Sequence, residues 1–193
     1  MPARAATTGV VLCGGRSLRM GRDKSLLEIG GRTLLERAIA VLDAQADEVL
    51  LACGPAERYE ELGRPLVLDA FPDGGPLAGI EAGLSRARTE WIAALACDMP
   101  RAEPSIFAAL LDRAVREGLD VCFLRTARGV EPLCAVYRKT CLEPVRAALG
   151  KGERKVVSFL RVEPRVRAGE IELEPGLAVN LNTPAEFEAE VGS

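Results

Sequence analysis

At 193 residues the chain is long enough to bury a continuous core as a single domain, 1–193, and its formal net charge of −3, with acids and bases interspersed, gives no reason to expect a nucleic-acid partner. No apolar run approaches the ~20 residues of a membrane span, and the start MPARAATTG lacks the apolar core of a secretory signal, so a cytoplasmic protein with no membrane partner is expected. Histidine is absent, which removes Ser-His-Asp hydrolysis, Cys-His proteolysis, H-E-x-x-H zinc chemistry and two-histidine iron sites, and leaves lysine, arginine, carboxylates and a hard cation to do any chemistry.

In chain order, residues 8–13 read as a short buried strand that Gly14-Gly15 breaks into a turn. Thr33-Leu34-Leu35-Glu36 is a capping box opening a helix through Leu42. A strand over 48–52, a helix opened by Pro55 and a strand over 66–68 follow. Pro76 starts an amphipathic helix through Leu84, 91–96 is a buried strand, and a helix runs from Pro104 until Gly118 stops it. The rhythm then changes. Strands at 121–124 and 132–137, separated by 127–129, suggest an antiparallel excursion, followed by helices over 140–149 and 156–160, an edge strand over 165–173, a buried strand over 178–181 and a final helix from Pro184. This alternation predicts an α/β fold with a mainly parallel sheet wrapped by helices. Open sheets of this kind take ligands outside the carboxyl ends of their strands, so the loops after Cys13, Ala52, Leu68 and Ala96 should share one crevice.

The chemistry-bearing residues fall in those loops. Gly14 and Gly15 let backbone donors approach an anion, and Arg16, Arg19, Arg22 and Lys24 follow on one loop; together they read as a triphosphate cradle with Lys24 foremost. Neither G-x-x-x-x-G-K-[ST] nor G-x-G-x-x-G is present, which disfavours a P-loop NTPase and a dinucleotide dehydrogenase. Asp98 closes the apolar run 91–97 at the crevice mouth, either as a turn former or helix cap or as a magnesium ligand, since Mg2+ takes one or two carboxylates and fills its shell with water and phosphate. Asp69 ends its strand in the same way. The six cysteines show no two-residue spacing, so structural zinc is not expected; Cys13 reads either as an inert buried thiol or as a reactive one. Nucleotidyl transfer suits this inventory, because it depends on positioning and charge neutralisation.

The segment LCGGRSLRMGRDKSLLEIGGRTLLERA, followed in order by GGPLAGIEAGL at 74–84, ACDMP at 96–100, GERKVVSFL at 152–160 and NLNTPAEFE at 180–188, resembles the molybdenum cofactor guanylyltransferases over nearly the whole chain. The resemblance implies a three-layer α/β/α fold with a mostly parallel Rossmann-like sheet of the nucleotide-diphospho-sugar transferase type. It implies GTP and molybdopterin as substrates, magnesium on Asp98 as cofactor, and transient contact with cofactor-insertion proteins. On the nucleotide it implies Leu12, Cys13, Gly14, Gly15, Lys24, Asp69 and Asp98, with Lys24, Asp98 and Arg19 catalytic and Asp69 toward the guanosine. Arg154 and Lys155 resemble a site for the pterin phosphate, and Asn180 and Asn182 match a cofactor-binding stretch, although Asn182-Thr183-Pro184 is also a sound helix start. Gly14, where CTP-using relatives tend to carry alanine, is expected to leave room for the larger purine. One departure stands out: Ala52-Cys53-Gly54 lies where the guanylyltransferases commonly have a polar residue. The alternatives are a cytidylyltransferase or other nucleotidyltransferase on the same scaffold, or a non-catalytic nucleotide sensor.

Overall fold

The computed structural model describes residues 5–14, 23–172 and 187. The expected strand over 178–181 and helix from Pro184 lie outside them. Nine strands and five α-helices form in the order β1 (Thr7–Leu12), β2 (Glu28–Ile29), β3 (Arg32–Thr33), α1 (Leu34–Asp43), β4 (Glu48–Ala52), β5 (Leu66–Val67), α2 (Pro76–Arg86), β6 (Trp91–Ala96), α3 (Pro104–Glu117), β7 (Val121–Thr126), β8 (Gly129–Arg138), α4 (Leu142–Gly150), α5 (Val156–Val162) and β9 (Ala168–Glu172), all counts being of described residues.

Local chemistry explains most boundaries. Glu36 N–H donates to Thr33 Oγ1 at 3.1 Å and Thr33 N–H donates to Glu36 Oε2 at 2.8 Å, the reciprocal pair of a capping box at the start of α1. Proline stands in the first turn of α2 and of α3, and Gly118 ends α3 in the left-handed conformation at φ 61°. The helix expected from Pro55 does not form: residues 53–59 make a loop, and only a 3₁₀ turn at Glu60–Leu62 follows. The β2–β3 hairpin, turning at Gly30-Gly31, was not expected.

Seven strands make one sheet in the order β5-β4-β1-β6-β8-β7-β9, in which β8 alone runs against the others. Side chains alternate across it. One face, with Val11, Leu51, Leu95 and Val136, is covered by α1 and α3 through Leu35, Leu42, Ile106 and Leu110; the other, with Val10, Leu50, Ala94 and Ala135, lies under α2, α4 and α5 through Leu77, Ile80, Val145 and Phe159. A β-carbon on Gly83 would lie 2.8 Å from Val10 Cγ2, so α2 can press this closely on β1 only because glycine stands there. No described helix is long and apolar enough to cross a membrane.

This topology fixes where a ligand can sit. The chain leaves β1 for β4 on one side, and β6 takes the other side, so the order reverses at β1. Their common carboxyl edge is the switch point at which open α/β sheets bind ligands. In register, Leu12 lies opposite both Ala52 and Ala96, which aligns the loops beginning at Cys13, Cys53 and Cys97 along one rim.

Candidate active site at the switch point

Two opposite charges face each other at that rim. Lys24 Nζ donates to Asp98 Oδ2 at 2.9 Å, joining the 3₁₀ turn Lys24–Leu26 to the loop after β6. The side chains are 16% and 25% exposed, so the pair is partly shielded from water yet open to a ligand.

Leu12, Cys13 and Gly14 carry the chain out of β1 with different roles. Leu12 turns toward α2, whereas Cys13 turns to the opposite face, its Sγ 3.8 Å from that of Cys53. Gly14 is exposed, but its amide donates to the Ala52 carbonyl at 2.8 Å. That is a correction: the Gly14 amide is spent on β4 and is not the anion donor the glycine pair suggested. The glycine at this position also answers a local packing demand. A β-carbon on Gly14 would lie 2.4 Å from Gly54 N and 2.8 Å from Gly54 Cα, so glycine stands here because the backbone of the β4 loop fills the space. Gly54 is itself at φ 81°, and its carbonyl accepts the Asp69 N–H at 2.9 Å. Gly14, Gly54 and Asp69 therefore form one contiguous wall across the ends of β1, β4 and β5.

Asp69 is half-buried, and its Oδ1 has no hydrogen-bond partner among the described residues. Burial, followed by the nearby Glu81 carboxylate, raises its pKa above the usual carboxylate value. An acceptor in this condition suits a ligand donor such as a hydroxyl, amino or ring N–H group. Cys53, at the position where a polar residue was looked for, is 1% exposed and turned into the core, so it offers the crevice no polar side chain.

Arg154 and Lys155 are exposed on the loop before α5, and a β-carbon on Gly75 would lie 3.3 Å from the Arg154 carbonyl oxygen. Because α2 runs from the end of β5 back to the start of β6, its first turn lies at the carboxyl edge, and Arg154 stands beside it. Gly15, Arg16, Arg19, Arg22, Asn180 and Asn182 lie outside the described residues. Asp23, Arg58 and Tyr59, which no sequence pattern singled out, form a hydrogen-bonded cluster against the Lys24 turn.

Six described cysteines are all buried and reduced. The hydrogen bond between Cys13 and Cys53 pushes the Cys13 thiol up, with burial adding to it, and holds Cys53 below the usual thiol value; burial takes Cys97 and Cys122 to about 11 and Cys141 to about 12. With 4% of Cys13 exposed and its thiol held up, the inert reading is favoured, since the thiolate is the reactive form. A chromogenic thiol reagent at neutral pH is expected to titrate less than one thiol in the native protein and six after denaturation; rapid native labelling of Cys13 would contradict this.

Residues 9–166 match the family model of the MobA-like NTP transferase domain, most of the chain. The chain belongs to that family. Among its relatives, a probable molybdenum cofactor guanylyltransferase of Pelotomaculum thermopropionicum is 36% identical over 93% of this chain and 89% of its own. The molybdenum cofactor guanylyltransferase of Vibrio cholerae is 32% identical over 94% of this chain and 89% of its own. The crystal structure of molybdopterin-guanine dinucleotide biosynthesis protein A from Archaeoglobus fulgidus superposes with a TM-score of 0.78 at 22% identity, covering 96% of this chain and 97% of that one. At that identity it shows the fold: a three-layer α/β/α arrangement around a mostly parallel sheet, of the nucleotide-diphospho-sugar transferase type. A MobA-like NTP transferase is an enzyme of nucleotidyl transfer, in keeping with a site built from lysine and carboxylate.

Proposed function

We propose that this protein transfers the GMP moiety of GTP to the terminal phosphate of molybdopterin, yielding molybdopterin guanine dinucleotide and pyrophosphate, as a single nucleotidyltransferase domain over 1–193 working in the cytoplasm. The observation that carries this reading is the Lys24–Asp98 pair, 2.9 Å apart at the switch point, in a chain with no histidine.

A phosphate oxygen of molybdopterin forms a bond to the α-phosphorus of GTP while the bond from that phosphorus to the α,β-bridging oxygen breaks, and the bonding pair leaves with pyrophosphate. The attacking phosphate is anionic at neutral pH, so no general base is required. Lys24, aided by Arg19 and the backbone at Gly15, offsets charge that grows on the leaving group, and a cation already placed there costs little reorganisation. Leu12, Cys13 and Gly14 shape the floor through their backbone, and Asp69 accepts a donor from the guanosine. Arg154, Lys155, Asn180 and Asn182 orient the pterin phosphate and ring.

Asp98 suits magnesium. The described residues contain no group of three or more acidic or sulfur ligands that would build a closed site, and a hard cation completes its shell with water and phosphate around one carboxylate. Bound there, Mg2+ would supply charge neutralisation at the phosphates. Lys24 shares this carboxylate, so it keeps the side chain aimed at the crevice. Contacts with proteins that insert the finished cofactor would be transient.

The test is incubation with magnesium, molybdopterin and each nucleoside triphosphate in turn. GTP should yield the dinucleotide and stoichiometric pyrophosphate, with CTP far slower. Turnover with CTP alone would make the protein a cytidylyltransferase. A melting temperature raised by nucleotide without pyrophosphate release would make it a sensor.

A further inference from the structure

Lys24 is held from both flanks. On its amino side, Asp23 Oδ1 accepts the Ser25 N–H at 3.1 Å and caps the turn, while Asp23 Oδ2 accepts the Tyr59 hydroxyl at 2.7 Å and also a guanidinium N–H of Arg58. On its carboxyl side, Ser25 Oγ lies 3.3 Å from Cys97 Sγ, one residue before Asp98. The loop after β4 and the end of β6 thus hold the residues on either side of the lysine, and Lys24 Nζ reaches Asp98 from a turn anchored on both flanks.

Tyr59 shows features of a residue kept for such a task. Around it, Pro55, Ala56, Glu57, Glu60, Glu61 and Gly63 are exposed, yet Tyr59 itself is 6% exposed. Its backbone sits at φ 68°, a left-handed conformation that is strained for a bulky residue and persists only where the surroundings over-determine it. That conformation turns the ring inward to Asp23, with the Arg58 guanidinium 4.8 Å from the ring centroid. Burial opposes ionisation of Asp23, but hydrogen bonds from Tyr59 and Arg58 outweigh it and hold its pKa below the usual value, so the anchor stays charged.

We propose that Asp23 and Tyr59 are positioning residues for nucleotidyl transfer, clamping the turn that presents Lys24 to the triphosphate opposite Asp98. The clamp rests on the guanylyl-transfer reading for its kinetic consequence but not for its structural one. A surface staple would serve stability alone. A positioning clamp must act through Lys24, and this difference can be measured.

Two readouts separate the cases, with Tyr59→Phe and Asp23→Asn as variants; the second keeps an oxygen for the Ser25 amide, so one variant stays informative if the other folds poorly. The chain carries four lysines, Lys24, Lys139, Lys151 and Lys155, so reductive methylation with carbon-13 gives a sparse lysine spectrum. Either variant should shift the Lys24 resonance and leave those of Lys139, Lys151 and Lys155 in place. In pyrophosphate-release kinetics, Tyr59→Phe should lower kcat about tenfold with KM for GTP changed less than threefold, and should cost less than twofold when introduced into Lys24→Ala. An unmoved Lys24 resonance, or the same tenfold loss with and without the lysine, would overturn the proposal. If the native protein released no pyrophosphate from any nucleotide, the functional reading would fall while the lysine spectrum would still decide the clamp.

Discussion

Asp98→Ala is expected to lower GTP-dependent pyrophosphate release by about a thousandfold, on the order of 4 kcal/mol of transition-state stabilisation, with the fold left in place. The argument is one of charge. In the proposed reaction the three phosphates of GTP and the one of molybdopterin meet at one centre, and Asp98, in the loop after β6, is placed to bring a divalent cation to them while restraining Lys24 at 2.9 Å. On that reading its removal would take away both effects together. Stability should change by about 1–2 kcal/mol, because at 16% and 25% side-chain exposure the pair lies between a solvated surface bridge and a buried one. Asp98→Asn, which keeps shape and loses charge, should be nearly as inactive. Lys24→Ala should lose about a hundredfold, and the double variant little more than Asp98→Ala, since groups acting on one charge are not additive. Pyrophosphate release and circular-dichroism melting measure these terms separately; turnover within tenfold of the native enzyme for Asp98→Ala would remove this carboxylate from the mechanism.

What the sequence disclosed about this site followed from the range of the interactions. Thr33 and Glu36 are three residues apart and satisfy each other, so their capping box was readable without any tertiary knowledge. The strand at Trp91–Ala96, buried on both faces, announced itself as an unbroken apolar run, and the position of Asp98 at its end followed. The Lys24–Asp98 contact spans 74 residues and could be placed only as far as a shared rim.

Errors arose where distant groups overrode local preference. Pro55 suggested a helix, but Gly54 at φ 81° and Tyr59 at φ 68° belong to a loop whose Arg58 and Tyr59 are drawn to Asp23, 35 and 36 residues away. Nothing local to that loop encodes its partner. The Glu28–Ile29 and Arg32–Thr33 hairpin escaped notice because two-residue strands are too short to show alternation, although Gly30-Gly31, both at positive φ, is a proper two-residue turn. Gly14 was legible as a glycine that must be glycine, and its reason was not: anion approach and backbone packing leave the same letter in a sequence.

Gly14→Ala decides between those two reasons, and a loss of about 2–3 kcal/mol is expected. The new β-carbon would lie 2.4 Å from Gly54 N, 2.8 Å from Gly54 Cα and 2.9 Å from the Cys53 carbonyl carbon. These are backbone atoms of the neighbouring loop, so no side chain can rotate away, and relief requires the ends of β1 and β4 to separate. Separation would break the Gly14 amide bond to Ala52 and disturb Gly54, through which Asp69 is held. Overpacking costs about 1–3 kcal/mol, and the upper part of that range expected here, where only backbone atoms can yield, is roughly 4–12 °C in melting temperature for a chain of this length. Gly150→Ala supplies the control: nothing lies within 4 Å of its β-carbon and its φ is negative and helical, so alanine there should be neutral or slightly stabilising. If Gly14→Ala melted with Gly150→Ala and lost only nucleotide affinity, the glycine would serve the ligand directly. If it lost melting temperature and nucleotide affinity together, the wall of Gly14, Gly54 and Asp69 would be one mechanical unit, in which a methyl group at one strand end disturbs a carboxylate two strands away.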